Sequence, residues 1–350
     1  MPDPIIARSD PALSARVTRE LAMRYAEGPS RIDDRPPHVR AASGIVNFRE
    51  YLVVIQDDTN WLALIDDADR IHALPLPASP HSGARVFSPS RGNKHEKFDL
   101  EACIVVPGPH GPELIGFGSG SHPGREWLLR VHESDGMDAA LSDRAAHTQL
   151  ELDVTAEFFD VRRFYDALRA NAAFSGAGLN VEGAVYLGRD TIRLFQRGNA
   201  PSEAGAEAVD ASADLSWRAL SAHLADPAKV PPPTLSNIRR YLLGTIDGVR
   251  LTFSDAEQMG DGRILFSASA EDPADDRIVG SAIGIIEKDG QARWAELEDI
   301  DGGRFEGKIE GLSVHRRSRD LARFVIDDDE EDMPSKLYEA KLSTAFFGVN

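Results

Sequence analysis

An all-β fold is what this sequence predicts, on three observations. Short apolar runs alternate with Gly, Pro, Asp and Asn turns along most of the chain, the pattern of many short strands at regular spacing. Five segments repeat one order of residue types, and such internal repetition marks a modular architecture. Helical periodicity is confined to two short stretches.

The repeating segments span 42–60, 98–122, 179–199, 252–271 and 308–330. Each opens on an acid or hydroxyl followed by a small residue: Ser43-Gly44, Glu101-Ala102, Glu182-Gly183, Asp255-Ala256 and Glu310-Gly311. A short strand and a turn follow, then a second apolar strand, read as YLVVI, ELIGF, TIRLF, RILFS and ARFVI. Further strands come from WLALID with RIHALPL, WLLRVH with TQLELDV, GSAIGIIE with ARWAEL, and KLYEAKL. Repetition of a four-stranded module selects a β-propeller, whose radial blades leave few open edges. Five units predict five blades, with six as the alternative if a degenerate blade lies near the N-terminus or in a proline-rich insertion.

The expected organisation is a single propeller domain over 42–350, preceded by a segment 1–41 that contributes to ring closure. Closure pairs the last strand, KLYEAKL, with N-terminal strand material, because it removes two exposed edges. Insertions are expected at 155–174 and 202–233. The first carries Phe158, Val161, Tyr165 and Leu168 at helical spacing, predicting a helix near 158–171. The second places Trp217, Leu220 and Leu224 on one face and then runs into Pro227 and a triple proline, predicting a helix near 214–225. Both helices are expected to pack against the third blade.

Composition narrows the partners. Lys and Arg number 39 against 57 Asp and Glu, a net charge of −18. That balance excludes nucleic acid and an anionic membrane as expected partners, since phosphates select clustered Lys and Arg. The single cysteine, Cys103, excludes a disulfide framework and a multi-cysteine zinc site. No apolar run approaches the roughly 18 residues of a membrane span, and no signal-peptide core opens the chain. A cytoplasmic protein is expected; the oligomeric state is not legible.

Several stretches carry a further pattern: ASGI with QDDTNWLALID, KFDLEA with GFGSGSHPGR, LNVEGA with LFQRGN, SDAEQM with ILFSASAE, and KIEGL with PSKLYEAKL. Together they resemble an uncharacterised family of bacterial propeller proteins. The acid-plus-small step at each blade start also resembles, more distantly, the esterase-like phytase propellers and the five-bladed calcium-dependent apyrases. The distant resemblances imply a metal-centred site and ester or phosphate-ester hydrolysis.

In a propeller the first strand of each blade runs along the central axis, so equivalent residues form a ring. The expected ring is Ser43, Glu101, Glu182, Asp255 and Glu310. Crowded carboxylates repel one another. A hard cation relieves that repulsion, and Ca2+ or another hard divalent cation suits carboxylate, carbonyl and water ligands. A second ring is expected where the second strands end. There Arg125, Arg197, Asn199, Asp58, Ser119 and Ser121 are candidate substrate contacts, joined by Lys97 and Lys308 from just ahead of Glu101 and Glu310. Arginine donors beside a cation match a phosphate or carboxylate. Glu271, Asp57 and Asp327 are the candidates for activating water. The acidic run 327–332 is expected to be mostly a solvated rim.

These residues predict a metal-dependent hydrolase of a small anionic or ester substrate, of phosphate-ester or nucleotide type, working at the mouth of the channel. A lactonase or isomerase on the same site is one alternative. A non-enzymatic ligand- or protein-binding propeller with a structural axial calcium is the other.

Overall fold

The computed structural model describes residues 3–134, 152–199, 207–328 and 330–348. The N-terminal segment supplies β1 (Ile5–Ile6), β2 (Arg8–Ser9) and β3 (Ala15–Ala22). The first four-stranded sheet is a meander of β4 (Ala42–Phe48), β5 (Tyr51–Gln56), β6 (Trp61–Ile65) and β7 (Ile71–Pro75). The second repeats it with β8 (Leu100–Pro107), β9 (Pro112–Gly118), β10 (Trp127–Glu133) and β11 (Val154–Asp160).

Helices α1 (Arg162–Arg169) and α2 (Ala172–Ser175) lead to the third sheet. This comprises β12 (Val181–Gly188), β13 (Thr191–Gln196) and β14 (Asp210–Ser216), then, after α3 (Trp217–Ala225), β15 (Ser236–Leu242) with β1 added at its edge. Beyond the two-residue β16 (Thr245–Ile246) come β17 (Val249–Gln258), β18 (Ile264–Glu271), β19 (Ile278–Ile286) and β20 (Ala292–Glu298). The last meander is β21 (Gly311–Val314), β22 (Leu321–Ile326) and β23 (Lys336–Leu342).

β3 lies antiparallel to β23, from Ala15 opposite Leu342 to Ala22 opposite Lys336. The N-terminal strand thus occupies the outer place beside the last meander. It also touches β20 in parallel at Leu297 and Glu298, which joins the last two meanders into one ten-stranded sheet. The first strands β4, β8, β12, β17 and β21 are spatial neighbours in a closed circuit. Between successive meanders lie five apolar cores. Burying apolar side chains there drives the radial packing. The architecture is nearly all-β and propeller-like.

The small residue at each repeat start has a steric reason. A Cβ built on Gly311 meets Gly44 Cα and Ile45 N at 2.9 Å, and one on Gly183 meets Ala256 N at 3.2 Å. Around the axis, backbone packs on backbone.

Helical content is smaller than the spacing predicts. Phe158 lies in β11, not in a helix, because 154–160 pairs with β10. That pairing starts the fourth strand of the second meander at Val154, the last residue of TQLELDV, most of which falls outside the described residues. Phe164, Tyr165 and Leu168 of α1 are buried, and Tyr165 donates to Gly118 O at 2.6 Å. The expected 202–233 insertion contains β14, whose run of small residues (DASADLS) is fully embedded in the sheet. α3 begins at Trp217, capped by Ser216 Oγ accepting from Ala219 N. Among the described residues no helix is long and apolar enough to cross a membrane.

Candidate functional site at the axial mouth

Where the first strands begin, the sheet ladders slip. The pairing skips Ser43 in β4, Glu101 in β8 and Glu182 in β12. Such a bulge frees the extra residue from the ladder and re-aims its side chain. In β17 the skipped residue is Ser254, not Asp255. Asp255 therefore stands one residue out of register with the expected ring. Its Oδ2 accepts from Leu312 N and its Oδ1 from Ala256 N, both at 2.7 Å, which ties β17 to β21. Ser43 Oγ similarly donates to Leu100 O of the neighbouring strand at 2.5 Å. Two of the five expected metal ligands thus bond backbone.

Beside them is a cluster the ring did not anticipate. Asp57, Asp99 and Glu101 each bring a carboxylate oxygen within 4.8 Å of the others. Asp99 is 1% exposed and adopts φ 58°, a left-handed conformation that Asp tolerates better than most residues. Lys97 Nζ lies 2.6 Å from Asp57 Oδ2 and 2.7 Å from Asp99 Oδ1. Arg125 Nη1 is 3.0 Å from Asp99 Oδ2, which also accepts from Ser119 Oγ. Ser121 Oγ accepts from Arg125 at 3.1 Å and lies 2.8 Å from Ser119 Oγ. Glu101 makes no hydrogen bond or ion pair among the described residues.

Across the mouth, Arg197 is buried between two acids. Its Nη1 is 3.2 Å from Glu182 Oε1, and its Nη2 pairs with Glu271. Asn180 Nδ2 donates to Glu182 at 2.7 Å and to Asn199 Oδ1 at 3.2 Å. Lys308 Nζ sits 2.7 Å from Glu310 Oε1.

The outer candidates are engaged elsewhere. Asp58 pairs with Arg40 at 2.7 Å. Asp327 accepts from Ser335 Oγ at 2.9 Å and from Ala41 N at 3.1 Å, pinning the N-terminal segment to the last meander. Of the acidic run 327–332, Asp329 lies outside the described residues.

The sequence of residues 38–342 matches the model of a family of unknown function, DUF6929. The chain belongs to DUF6929. A search of curated proteins finds no match. Among solved structures, a gluconolactonase from Xanthomonas campestris is 11% identical, covering 84% of this chain and 69% of that one at a TM-score of 0.36. A virginiamycin B lyase from Staphylococcus aureus is 9% identical over 95% and 100% at 0.36. An N-acetylgalactosamine deacetylase from F. plautii is 9% identical over 96% and 97% at 0.45. Likeness at this level carries no argument about chemistry, and the expected resemblance to phytases and apyrases finds no support in it.

The electrostatics of this DUF6929 mouth are unbalanced. Asp57, Asp99, Glu101, Glu182, Glu271 and Glu310 face Lys97, Arg125, Arg197 and Lys308. Fully ionised, the six carboxylates exceed the four cations by two charges. Burial, then repulsion from Asp57, Glu182, Asp99 and Glu310, pushes the Glu101 carboxyl well above its usual range. Burial and Asp99 do the same to Asp57. Burial alone would raise Asp99, but the Lys97 ammonium, its hydrogen bond with Asp57, and Arg125 hold it below the ordinary value. Burial pushes Glu310 up to about 7, against the pull of Lys308.

A hard divalent cation fits this donor set: three clustered carboxylates in a mouth with surplus negative charge. Lys97 marks the same spot as a cation site. Asp99 is the residue the ring argument missed. In KFDLEA, Lys97, Asp99 and Glu101 alternate with buried Phe98 and Leu100, and period-two alternation puts all three charges on one side.

Proposed function

We propose that this chain is a metal-dependent hydrolase of a small anionic or ester substrate, working at the axial mouth of a five-bladed propeller. The five-blade reading takes β4, β8, β12, β17 and β21 as the innermost strands, with β3 completing the last blade. The observation that carries the function is the convergence of Asp57, Asp99 and Glu101 within 4.8 Å in a mouth with two surplus carboxylates. A divalent cation bound there supplies Lewis-acid polarisation of an ester or phosphoryl oxygen.

The chain's own groups then divide the work. Arg125, with its side chain 29% exposed, faces the substrate and binds its anionic oxygen. Arg197, at 3%, is locked between Glu182 and Glu271 and holds those acids in place. It does not grip substrate. Glu310, tuned to about 7, is suited to take or give a proton near neutrality. The net charge of −18 and single cysteine support a cytoplasmic location without nucleic-acid or membrane partners.

The test is twofold. Chelator-stripped protein titrated with Ca2+, Mg2+ or Mn2+ should gain melting temperature by linkage, and Asp57→Asn should lose that gain. Phosphomonoesters, nucleotides, lactones and aryl esters are then screened with the stabilising ion present. Turnover that fails in both Asp57→Asn and Arg125→Ala supports the reading; no ion response and no turnover overturn it.

A second reading has its own support, because Lys97 already sits between Asp57 and Asp99. A metal-free axis held by ion pairs suits a binding propeller. It predicts unchanged melting curves across all three ions.

A further inference from the structure

Below the charged mouth, the first strands enclose a cavity of about 220 Å3 that the proposed reaction does not use. Its wall comes from all five first strands: residues 45–47 of β4, 103–105 of β8, 184–186 of β12, 256–258 of β17, and Leu312 of β21. These follow the ring residues by one to four positions along strands that rise about 3.3 Å per residue. The mouth and this cavity are therefore coaxial and separate.

The chemistry changes along the axis. No Lys or Arg lines the cavity, and its one carboxylate is Glu257. Glu257 Oε2 already accepts from Val314 N, so that charge is committed to the wall. The other polar groups are neutral. Asn47 Nδ2 donates to Ser313 Oγ at 2.9 Å and to Val314 O at 3.2 Å, which fixes the amide. The half-buried Tyr186 hydroxyl and Gln258 amide make no side-chain hydrogen bond among the described residues.

Preformed, neutral donors and acceptors set in a wall of mixed polarity discriminate by chemistry. An anion entering here meets Glu257 and finds no cation. A purely apolar guest strands the phenol and both amides, and buried polar groups left unpaired cost more than contact returns. A ligand rich in uncharged hydroxyls satisfies all of them. The volume, below the roughly 300–1,000 Å3 of drug-sized sites, limits that ligand to a small one. We infer that the far end of the axial channel is a second binding site, taking a small uncharged polyol or monosaccharide held by Asn47, Tyr186 and Gln258.

The experiment measures binding of glucose, galactose, myo-inositol and glycerol to the full chain by calorimetry. Phosphate and acetate serve as anionic controls. The expected result is saturable binding of at least one neutral compound, and about tenfold weaker binding in Gln258→Ala and Tyr186→Phe, the loss of one hydrogen bond each. Asp57→Asn should leave this binding unchanged, so failure of the hydrolase reading and failure of this one are separately visible. No neutral compound binding, equal binding of the anions, or binding that survives both variants would overturn the inference.

Discussion

Lys97 Nζ, carried in just ahead of β8, lies 2.6 Å from Asp57 Oδ2 at the end of β5. This contact joins the first two sheets, and it sets the ammonium beside the carboxylates that would hold a divalent ion. The ammonium is held charged despite burial, because Asp57, Asp99 and Glu101 surround it. Lys97→Met removes that charge and leaves three crowded acids. Breaking one side of a buried ion pair costs about 3–5 kcal/mol, so the variant should melt well below the parent in chelator. Saturating calcium should restore most of the loss if the triad takes the ion. Equal destabilisation with and without calcium would assign Lys97 a purely structural role.

Asp255 separates a latch from a ligand. Its two oxygens accept from Leu312 N and Ala256 N. Asp255→Ala leaves two buried amides without acceptors, at about 1–3 kcal/mol each. Denaturant unfolding should register that cost. The calcium-dependent gain in melting temperature should be the same as in the parent, since Asp255 stands out of register with the mouth. Loss of the gain would return Asp255 to the metal site.

Gly311→Ala tests the axial packing itself. The added Cβ would lie 2.9 Å from both Gly44 Cα and Ile45 N, backbone atoms that move only if β4 moves. Overpacking of this kind costs about 1–3 kcal/mol. A variant as stable as the parent would mean that the first strands pack more loosely than these distances require.

The repeat was legible because close packing on the axis imposes a small residue at one point of each inner strand, and that leaves a mark in sequence. Gly44, Ala102, Gly183 and Gly311 follow their ring residues for this reason. The same mark misled in the fourth unit. There Asp255 itself occupies the position equivalent to those small residues, with Ser254 on the bulge, and Asp255-Ala256 imitates the motif one residue late. Asp99 was hidden differently. Only the alternation of Lys97, Asp99 and Glu101 with Phe98 and Leu100 reveals it, and that pattern extends ahead of the repeat's opening step. Pairing preferences were not legible at all: that Arg197 would be enclosed by Glu182 and Glu271 depends on the meeting of β13's end with β18's, a contact across 74 residues. β14 was obscured by composition, since DASADLS lacks the β-branched and aromatic residues that announce a strand yet lies buried between β13 and β15.

Glu257 makes the stability of the chain depend on pH. Burial pushes its carboxyl from 4.5 up to about 7, opposed by hydrogen bonds from Val314 N and Ser313. Between those two values the folded chain keeps the proton at this position while the unfolded chain releases it. Stability therefore falls as pH rises through that window, because the unfolded state binds fewer protons there. Above about 7 both states are ionised and the penalty is complete. A shift of this size corresponds to no more than about 3 kcal/mol. Glu257→Gln keeps an acceptor for Val314 N and removes the ionisation. Relative to the parent, the variant should be more stable at pH 8, by up to that amount, and should lose its advantage below pH 5, where both side chains are neutral. Other buried acids, Glu101 and Asp57 among them, add their own slopes to the parent curve, but they are common to both proteins and cancel in the difference. Thermal melts of the pair across pH 5 to 8 decide it. A difference that does not change with pH would mean that Glu257 titrates alike in the folded and unfolded chains.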